Sequence, residues 1–313
     1  MHPHTSSIRV FLRTTSTLFL ASVLLAFVQL TSATAQTTSP FAQMGGAERE
    51  SVSVSLQAAL SEDGAPIEDG LVWRVFETVP DADGQLSLVA SAEGGSHTMT
   101  LPAGTYFINC TFGYASTTRK VSLKNAGETE ELSFDLNAGG LVLQATLGDD
   151  RPTDPEKLRF AIYSGEGENR NLVLDDIKPD TIVRLRAGTY DIVSTYGSLN
   201  AETQARLNVR AGKVIEATLK QKAAVVTLKL VSKSGNEAIA DTAWTVLGAS
   251  GDMLLESKIA SPSMILAEGN YTAIARNQQD VYEKSFTVSP GPAQNVELIL
   301  NLDKATMDDE ITD

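Results

Sequence analysis

From residue 51 onward the chain is a succession of short runs in which apolar and polar residues alternate. Val52, Val54, Leu56 and Ala58 share one face of the first run. Leu141, Leu143, Ala145 and Leu147 form a second version of it, and Val226, Leu228 and Leu230 a third. A two-residue period sends one face of an extended chain into a core and leaves the other in water. Polar turns follow at residues 61–69, 148–156 and 232–240. The next run carries one bulky ring per copy: Trp73 between Leu71 and Val75, Phe160 between Leu158 and Ile162, Trp244 between Thr242 and Val246. These rings are the expected core plugs. A weaker run comes third, at 86–90, 171–174 and 253–257; the turn signal Asp81-Ala82-Asp83-Gly84 precedes the first of them.

The runs are organised around a recurring corner. Leu101-Pro102-Ala103-Gly104-Thr105-Tyr106 returns as Leu185-Arg186-Ala187-Gly188-Thr189-Tyr190 and, worn down, as Leu266-Ala267-Glu268-Gly269-Asn270-Tyr271. Its glycines are 84 and 81 residues apart, which marks three copies of one unit. The leucine closes a fourth run. The glycine turns the chain without a Cβ clash. The tyrosine opens a fifth run, ring inward and hydroxyl near the edge of the unit. Tyr106, Ile108, Cys110 and Phe112 match Tyr190, Ile192, Ser194 and Tyr196. A sixth run holds Val121 and Leu123, Leu207 and Val209, Phe286 and Val288, and glycine turns follow at 125–127, 210–212 and 289–291. The seventh holds Leu132, Phe134 and Leu136, then Ile215, Ala217 and Leu219, then Val296, Leu298 and Leu300. Residues 201–222, rich in Ala, Glu and Lys, come nearest to a helical face, but their register with the other copies makes them strands.

Seven short strands per repeat predict an all-β chain: three tandem seven-stranded immunoglobulin-like β-sandwich modules after a signal peptide. The modules are expected at 51–137, 138–222 and 223–302, joined without a Pro-rich or Ser-rich linker in a stiff array. Residues 137–140 read equally well as a hairpin turn, in which case neighbouring modules would share a sheet.

The N-terminus reads as a secretory signal over residues 1–35. Arg9 and Arg13 supply the positive start, an uncharged run of 13 residues spans 18–30, and Ala33-Thr34-Ala35 is a small-x-small site with cleavage expected before Gln36. The apolar run is short of the roughly 20 residues a membrane span needs, and no cysteine follows it to anchor a lipid. The expectation is export to the periplasm or the outside, with no stable membrane insertion after cleavage. Residues 36–50 read as a flexible leader and 303–313 as an acidic disordered tail.

Charge narrows the partners. The net charge of −14 falls to −16 once the two signal-peptide arginines are gone. Nucleic acid and anionic lipid are disfavoured, because both want a basic patch. The single cysteine, Cys110, allows no internal disulfide, so each module must be held by its own core.

No catalytic, cofactor-binding or metal-binding set is nominated. His97 is the one histidine past residue 35 and reads as an exposed loop residue, not a triad member. Cys110 reads as a small core residue. Asp149-Asp150, Asp175-Asp176 and Asp308-Asp309 lack a calcium-loop spacing and read as solvated turns. Tyr114, Tyr163 and Tyr282 are the aromatics expected to point outward as candidates for ligand contact. The residues singled out are structural: Leu101, Gly104, Tyr106, Leu185, Gly188, Tyr190, Leu266, Gly269 and Tyr271 at the corners, with Trp73, Phe160 and Trp244 in the cores.

The Leu-Pro-Ala-Gly-Thr-Tyr corner followed by an alternating strand resembles the carboxypeptidase-regulatory-like and Cna-B-like β-sandwich repeats of exported bacterial proteins. It is also similar to the tyrosine corner of fibronectin type III modules. That resemblance covers most of 51–302 and implies spacers, stalks and interaction modules. Some Cna-B-like modules carry a Lys–Asn isopeptide bond, but residues 52–60 contain no lysine, so the bond is not carried over. The expected function is that of a non-enzymatic structural or protein-interaction scaffold of the bacterial envelope, with envelope or surface proteins as partners. The alternative is a protein that binds a glycan or a peptide.

Overall fold

The computed structural model describes residues 50–303, apart from 125, 126, 128, 149 and 302. The expected signal, all of the leader before Glu50, and the tail beyond Asp303 lie outside the described residues. So do Asn125 and Ala126 of one glycine turn, and Asp149, Asp308 and Asp309 of the acidic pairs.

Among the described residues twenty-two strands follow one another, in three groups. The first group is β1 (Ser51–Ala59), β2 (Leu71–Pro80), β3 (Leu86–Gly94), β4 (His97–Pro102), β5 (Gly104–Phe112), β6 (Ala115–Leu123) and β7 (Thr129–Asp135). The second is β8 (Ala138–Leu147), β9 (Arg151–Pro152), β10 (Leu158–Ser164), β11 (Asn171–Ile177), β12 (Ile182–Arg186), β13 (Gly188–Tyr196), β14 (Glu202–Val209) and β15 (Val214–Gln221). The third is β16 (Ala223–Val231), β17 (Thr242–Gly248), β18 (Met253–Ser257), β19 (Ser263–Ala267), β20 (Gly269–Asn277), β21 (Asp280–Val288) and β22 (Gln294–Ile299). The two-residue β9, beside β8, is an addition to the seven expected strands.

Each group makes one three-stranded and one four-stranded path. The orders are β4-β1-β7 with β3-β2-β5-β6, β12-β8-β15 with β11-β10-β13-β14, and β19-β16-β22 with β18-β17-β20-β21. In each, the first strand sits between the antiparallel strand that leads into the corner (β4, β12 or β19) and the parallel last strand. No described strand of one group pairs with a strand of another. The hairpin reading of residues 137–140 is therefore corrected: β7 and β8 run on through Leu136 and Asn137 into different sheets.

The inward faces meet in three cores. The first gathers Val54, Leu56, Trp73, Ile108, Cys110 and Phe134, and the other two are built on Phe160 and Trp244. Burying a side chain of this size contributes about 1.5–3 kcal/mol, so a handful per sheet stabilises each sandwich without a disulfide.

The copies align differently from the expected register. Val52 pairs with Leu101, Gly139 with Leu185 and Ala224 with Leu266, so the counterpart of Val52 is Gly139, not Leu141. The last strand of the second group is displaced by two residues in the opposite sense: Leu132 pairs with Leu56, and Ala217 pairs with Leu143, so the counterpart of Leu132 is Ala217, not Ile215. A slip of two residues leaves the same side chains facing inward, so alternation alone does not detect it.

Candidate functional site

The three corners have one geometry. Tyr106 Oη donates to the carbonyl of Pro102 at 2.9 Å, Tyr190 Oη to Arg186 at 3.0 Å and Tyr271 Oη to Ala267 at 2.9 Å. Leu101, Leu185 and Leu266 are buried beside them, and Gly104, Gly188 and Gly269 each begin the strand that carries the tyrosine. Gly269 alone of the three has a positive φ, +156°, at the edge of extended backbone. The small side chain also leaves room for the ring: a Cβ on Gly104 would lie 3.3 Å from Tyr106 Oη. Burial pushes the Tyr190 hydroxyl above its ordinary range, partly offset by the charge of Arg186.

Trp73, Phe160 and Trp244 are fully buried. Trp73 Nε1 donates to Gly95 O at 3.0 Å and Trp244 Nε1 to Ala260 O at 3.2 Å, which satisfies the one polar atom each ring takes into the core. Trp73 also meets Phe134 edge-on, with centroids 5.2 Å apart.

The corners do more than close each sandwich. Just before each first strand, a carbonyl accepts from the corner backbone: Glu50 O from Ala103 N, Asn137 O from Ala187 N and Lys222 O from Glu268 N, all at 2.7 Å. In the second and third copies the residue supplying that carbonyl follows directly on the preceding sandwich. Within the second and third sandwiches the start of the first strand is tied down in the same way: Ala138 O accepts from Gly212 N at 2.8 Å, and Ala223 O from Gly291 N at 3.1 Å. The joints themselves repeat one contact. The β5–β6 turn lies on Arg184 of β12, and the β13–β14 turn lies on Ile265 of β19. A Cβ on Gly113 would sit 2.8 Å from Arg184 Cβ, and one on Gly197 3.0 Å from Ile265 Cβ. Both glycines have a positive φ, +62° and +81°.

Each joint adds its own contacts. At the first, Tyr114 N donates to Arg184 O at 2.9 Å, and the Arg184 guanidinium lies 4.4 Å from the centre of the Phe112 ring. At the second, Asn200 Nδ2 donates to Tyr271 Oη at 2.9 Å while Asn200 Oδ1 accepts from Ala267 N at 3.1 Å. Asn200 thus binds the corner of the next sandwich on both sides of its amide. Neither Asn200 nor the glycines stood out in the sequence; the signal for the glycines is that both sit nine residues after the corner glycine.

Between the second and third sandwiches lies a cleft of about 550 Å3, lined by Lys157, Arg159, Leu199, Leu255, Ile259 and Ile265 among others. Its arginine is already engaged: Arg159 Nε donates to Asp176 Oδ1 at 3.0 Å, and Nη1 donates to the carbonyls of Pro155, Glu156 and Leu158.

The remaining candidates separate. His97 is exposed at the start of β4. Cys110 is fully buried, and burial pushes its thiol up to about 12. Asp176 pairs with Arg159 and Asp150 with Lys220, while Asp81 Oδ1 accepts from the backbone of Asp83 and Gln85 in its own turn. No cluster of three potential metal-ligating residues occurs among the described residues. Tyr114 is exposed, and Tyr163 is half-buried with the Arg170 guanidinium 3.7 Å over its ring. Tyr282, expected outward, is buried in the third core; it shares the phase of Phe286 and Val288 along β21. No described helix is long and apolar enough to cross a membrane.

Comparison with known proteins adds the following. The profile of the Rhizobiales growth-associated tandem repeat domain matches residues 225–300. Among curated proteins, none matches the chain. Solved structures similar to it include the Bacillus anthracis TIE protein, at 17% identity and a TM-score of 0.25, over 82% of this chain and 51% of that one. A streptococcal ancillary pilin matches at 13% identity and a TM-score of 0.30, over 80% of this chain and 99% of that one. BcpA, the major pilin subunit of Bacillus cereus, matches at 11% identity and a TM-score of 0.23, over 80% and 99%. The chain spans about half the length of the first of these. These likenesses are too loose to bear on function.

Proposed function

We propose that this chain is an exported, non-catalytic scaffold of the bacterial envelope whose sandwiches, divided at 51–137, 138–222 and 223–302, hold partner proteins at fixed relative positions. The observation that carries the reading is the repeated joint. The corner bond to the residue before the first strand, Asn137 O from Ala187 N and Lys222 O from Glu268 N, and the same turn-on-strand contact occur between the first and second sandwiches and between the second and third. Contacts that fix one module against the next serve a protein whose task is spacing. The match of residues 225–300 to a growth-associated tandem repeat supports a role connected with growth.

Export and spacing are tested separately. A reporter active only outside the cytoplasm, fused after Asp313, should be active and should yield a chain beginning at Gln36. An inactive reporter would remove the envelope from the proposal. For spacing, growth of a deletion strain should be restored by the native chain and not by one carrying Gly113→Gln and Gly197→Gln, provided both accumulate equally. Restoration by the joint-breaking variant would show that fixed geometry is not what the chain supplies.

A further inference from the structure

The outward face of the β3-β2-β5-β6 sheet in the first sandwich carries a feature the cores do not use. Phe76 on β2 and Phe107 on β5 are direct cross-strand partners, and Leu88 of β3 faces Phe76 on its other side. Both rings are half-buried and neither belongs to the core cluster. Lys120 of β6 pairs with Phe107, its Nζ 5.9 Å from the ring centre. The adjacent row is Ser91, Arg74, Asn109 and Thr118. Between the two rows lies a hollow of about 480 Å3, lined by Arg74, Phe76, Leu86, Phe107, Asn109 and Thr118.

Polar neighbours account for Asn109, which bonds Thr117 O, Thr118 Oγ1 and Thr111 Oγ1. They do not account for the cations. Neither Arg74 nor Lys120 is in an ion pair among the described residues. In a chain of net charge −14 that is a local reversal of sign, and screening over about 8 Å at physiological salt lets it act locally.

The same row in the other sandwiches is closed. In the second it reads Tyr163, Asp191, Arg206. There Arg206 is held by Asp191 and Glu166, each at 2.8 Å, and Arg170 covers Tyr163. In the third it reads Leu247, Thr272, Ser285, with neither ring nor charge. The first sandwich alone among the three sets two paired rings, Phe107 with Lys120 5.9 Å from its centre, beside cations that are in no ion pair among the described residues.

We propose that this face binds an acidic polysaccharide, with uronate rings lying on Phe76 and Phe107 and their carboxylates on Arg74 and Lys120. A pyranose presents an apolar C–H face to an aromatic ring. Arg74 offers a planar fork that takes a carboxylate in bidentate fashion. An extended peptide fits less well, because peptides dock by adding to a sheet edge. The hollow lies over β2 and β5, which already have strands on both sides. The proposal goes beyond the scaffold reading, which stands or falls without it.

The test is titration of the purified protein with fluorescently labelled oligogalacturonate, read by anisotropy, against neutral dextran and polyglutamate. Saturable binding of the oligouronate alone is expected. Phe107→Leu, which keeps apolar volume but removes the ring, and Arg74→Gln should each weaken it about tenfold or more, as expected for the loss of one stacked or charge-assisted contact. Tyr163→Ala, at the matching place in the second sandwich, should leave it unchanged. Absence of saturable binding overturns the proposal, as does equal affinity in Phe107→Leu and the native protein. Equal binding of polyglutamate would reassign the face to acidic peptides.

Discussion

Tyr271 has two polar partners where Tyr190 has one: it donates to Ala267 O and accepts from Asn200 Nδ2. Tyr190→Phe should therefore cost about 1 kcal/mol, the net value of one hydrogen bond, and Tyr271→Phe more, because it also strips a partner from the Asn200 amide. Denaturant unfolding of the two variants checks the order; equal losses would mean that the Asn200 amide does not donate to the Tyr271 hydroxyl in solution. A second residue-scale case is Gln221. It occupies a core position at the end of β15, 1% exposed, where the first sandwich has Leu136. Its Nε2 donates to Ser194 Oγ and to Ser194 O, and its Oε1 accepts from Thr203 Oγ1 at 3.0 Å. Ser194 in turn holds the place of Cys110 and Ala275. Gln221→Leu alone should destabilise by about 1–3 kcal/mol by orphaning the serine hydroxyl, and adding Ser194→Ala should recover most of that. Additive losses in the double variant would contradict the pairing. Cys110 should be silent to disulfide reagents in the native protein and react only on unfolding, since the buried thiol is pushed up to about 12 and forms no thiolate at neutral pH.

Among the strands, existence was readable from sequence and register was not. Val54, Leu56, Trp73 and Ile108 announce inward faces through alternation, and the tyrosine corners through their spacing. The two-residue slip that makes Gly139 the counterpart of Val52 is invisible to alternation. Backbone approach shapes that position: a Cβ on Gly139 would lie 2.3 Å from Arg210 O, so it takes a glycine where the first sandwich has valine. Alternation does not single out Gln221 for the same reason, an apolar Leu219 standing two residues away in the same phase. Phase does identify Phe76 and Phe107 as outward and Tyr282 as inward, once each is counted from Trp73, Tyr106 and Phe286. Loops tied to strands by charge carry a pH signature. Glu297 of β22 accepts from Ser234 Oγ at 2.7 Å and from Gly235 N, and these bonds hold its carboxyl below the ordinary value of 4.5. A carboxylate whose folded pKa is depressed adds stability above its unfolded value. That contribution is complete above pH 4.5 and is lost as pH falls through the lower folded value. Glu297→Gln should flatten the acid limb of the stability curve and leave its neutral side parallel to the native one; an unchanged acid limb would contradict the bond.

At the scale of the described molecule from Glu50 to Asp303, the joints decide what the chain can do. A glycine at positive φ lets each hairpin turn lie against the following sandwich. The third sandwich has Gln278 at the same place, with φ 54°. Beyond β22 the chain turns back: Asp303 O accepts from Glu283 N, and Asp303 Oδ2 accepts from Ile299 N, both at 2.7 Å. That first residue of the expected tail is thus held against β21 and β22. A scaffold that sets distances requires the two joints to be rigid, and the most direct measurement is pulsed electron–electron spin resonance. Spin labels on cysteines introduced at exposed Lys213 and Lys233 report the distance from the second sandwich to the third, and the buried Cys110 leaves them as the only reactive thiols. A single narrow distance distribution is predicted, broadening when Asn200→Ala and Gly197→Gln are introduced together. A distribution already broad in the native chain, and unchanged by those substitutions, would contradict the fixed-spacing account.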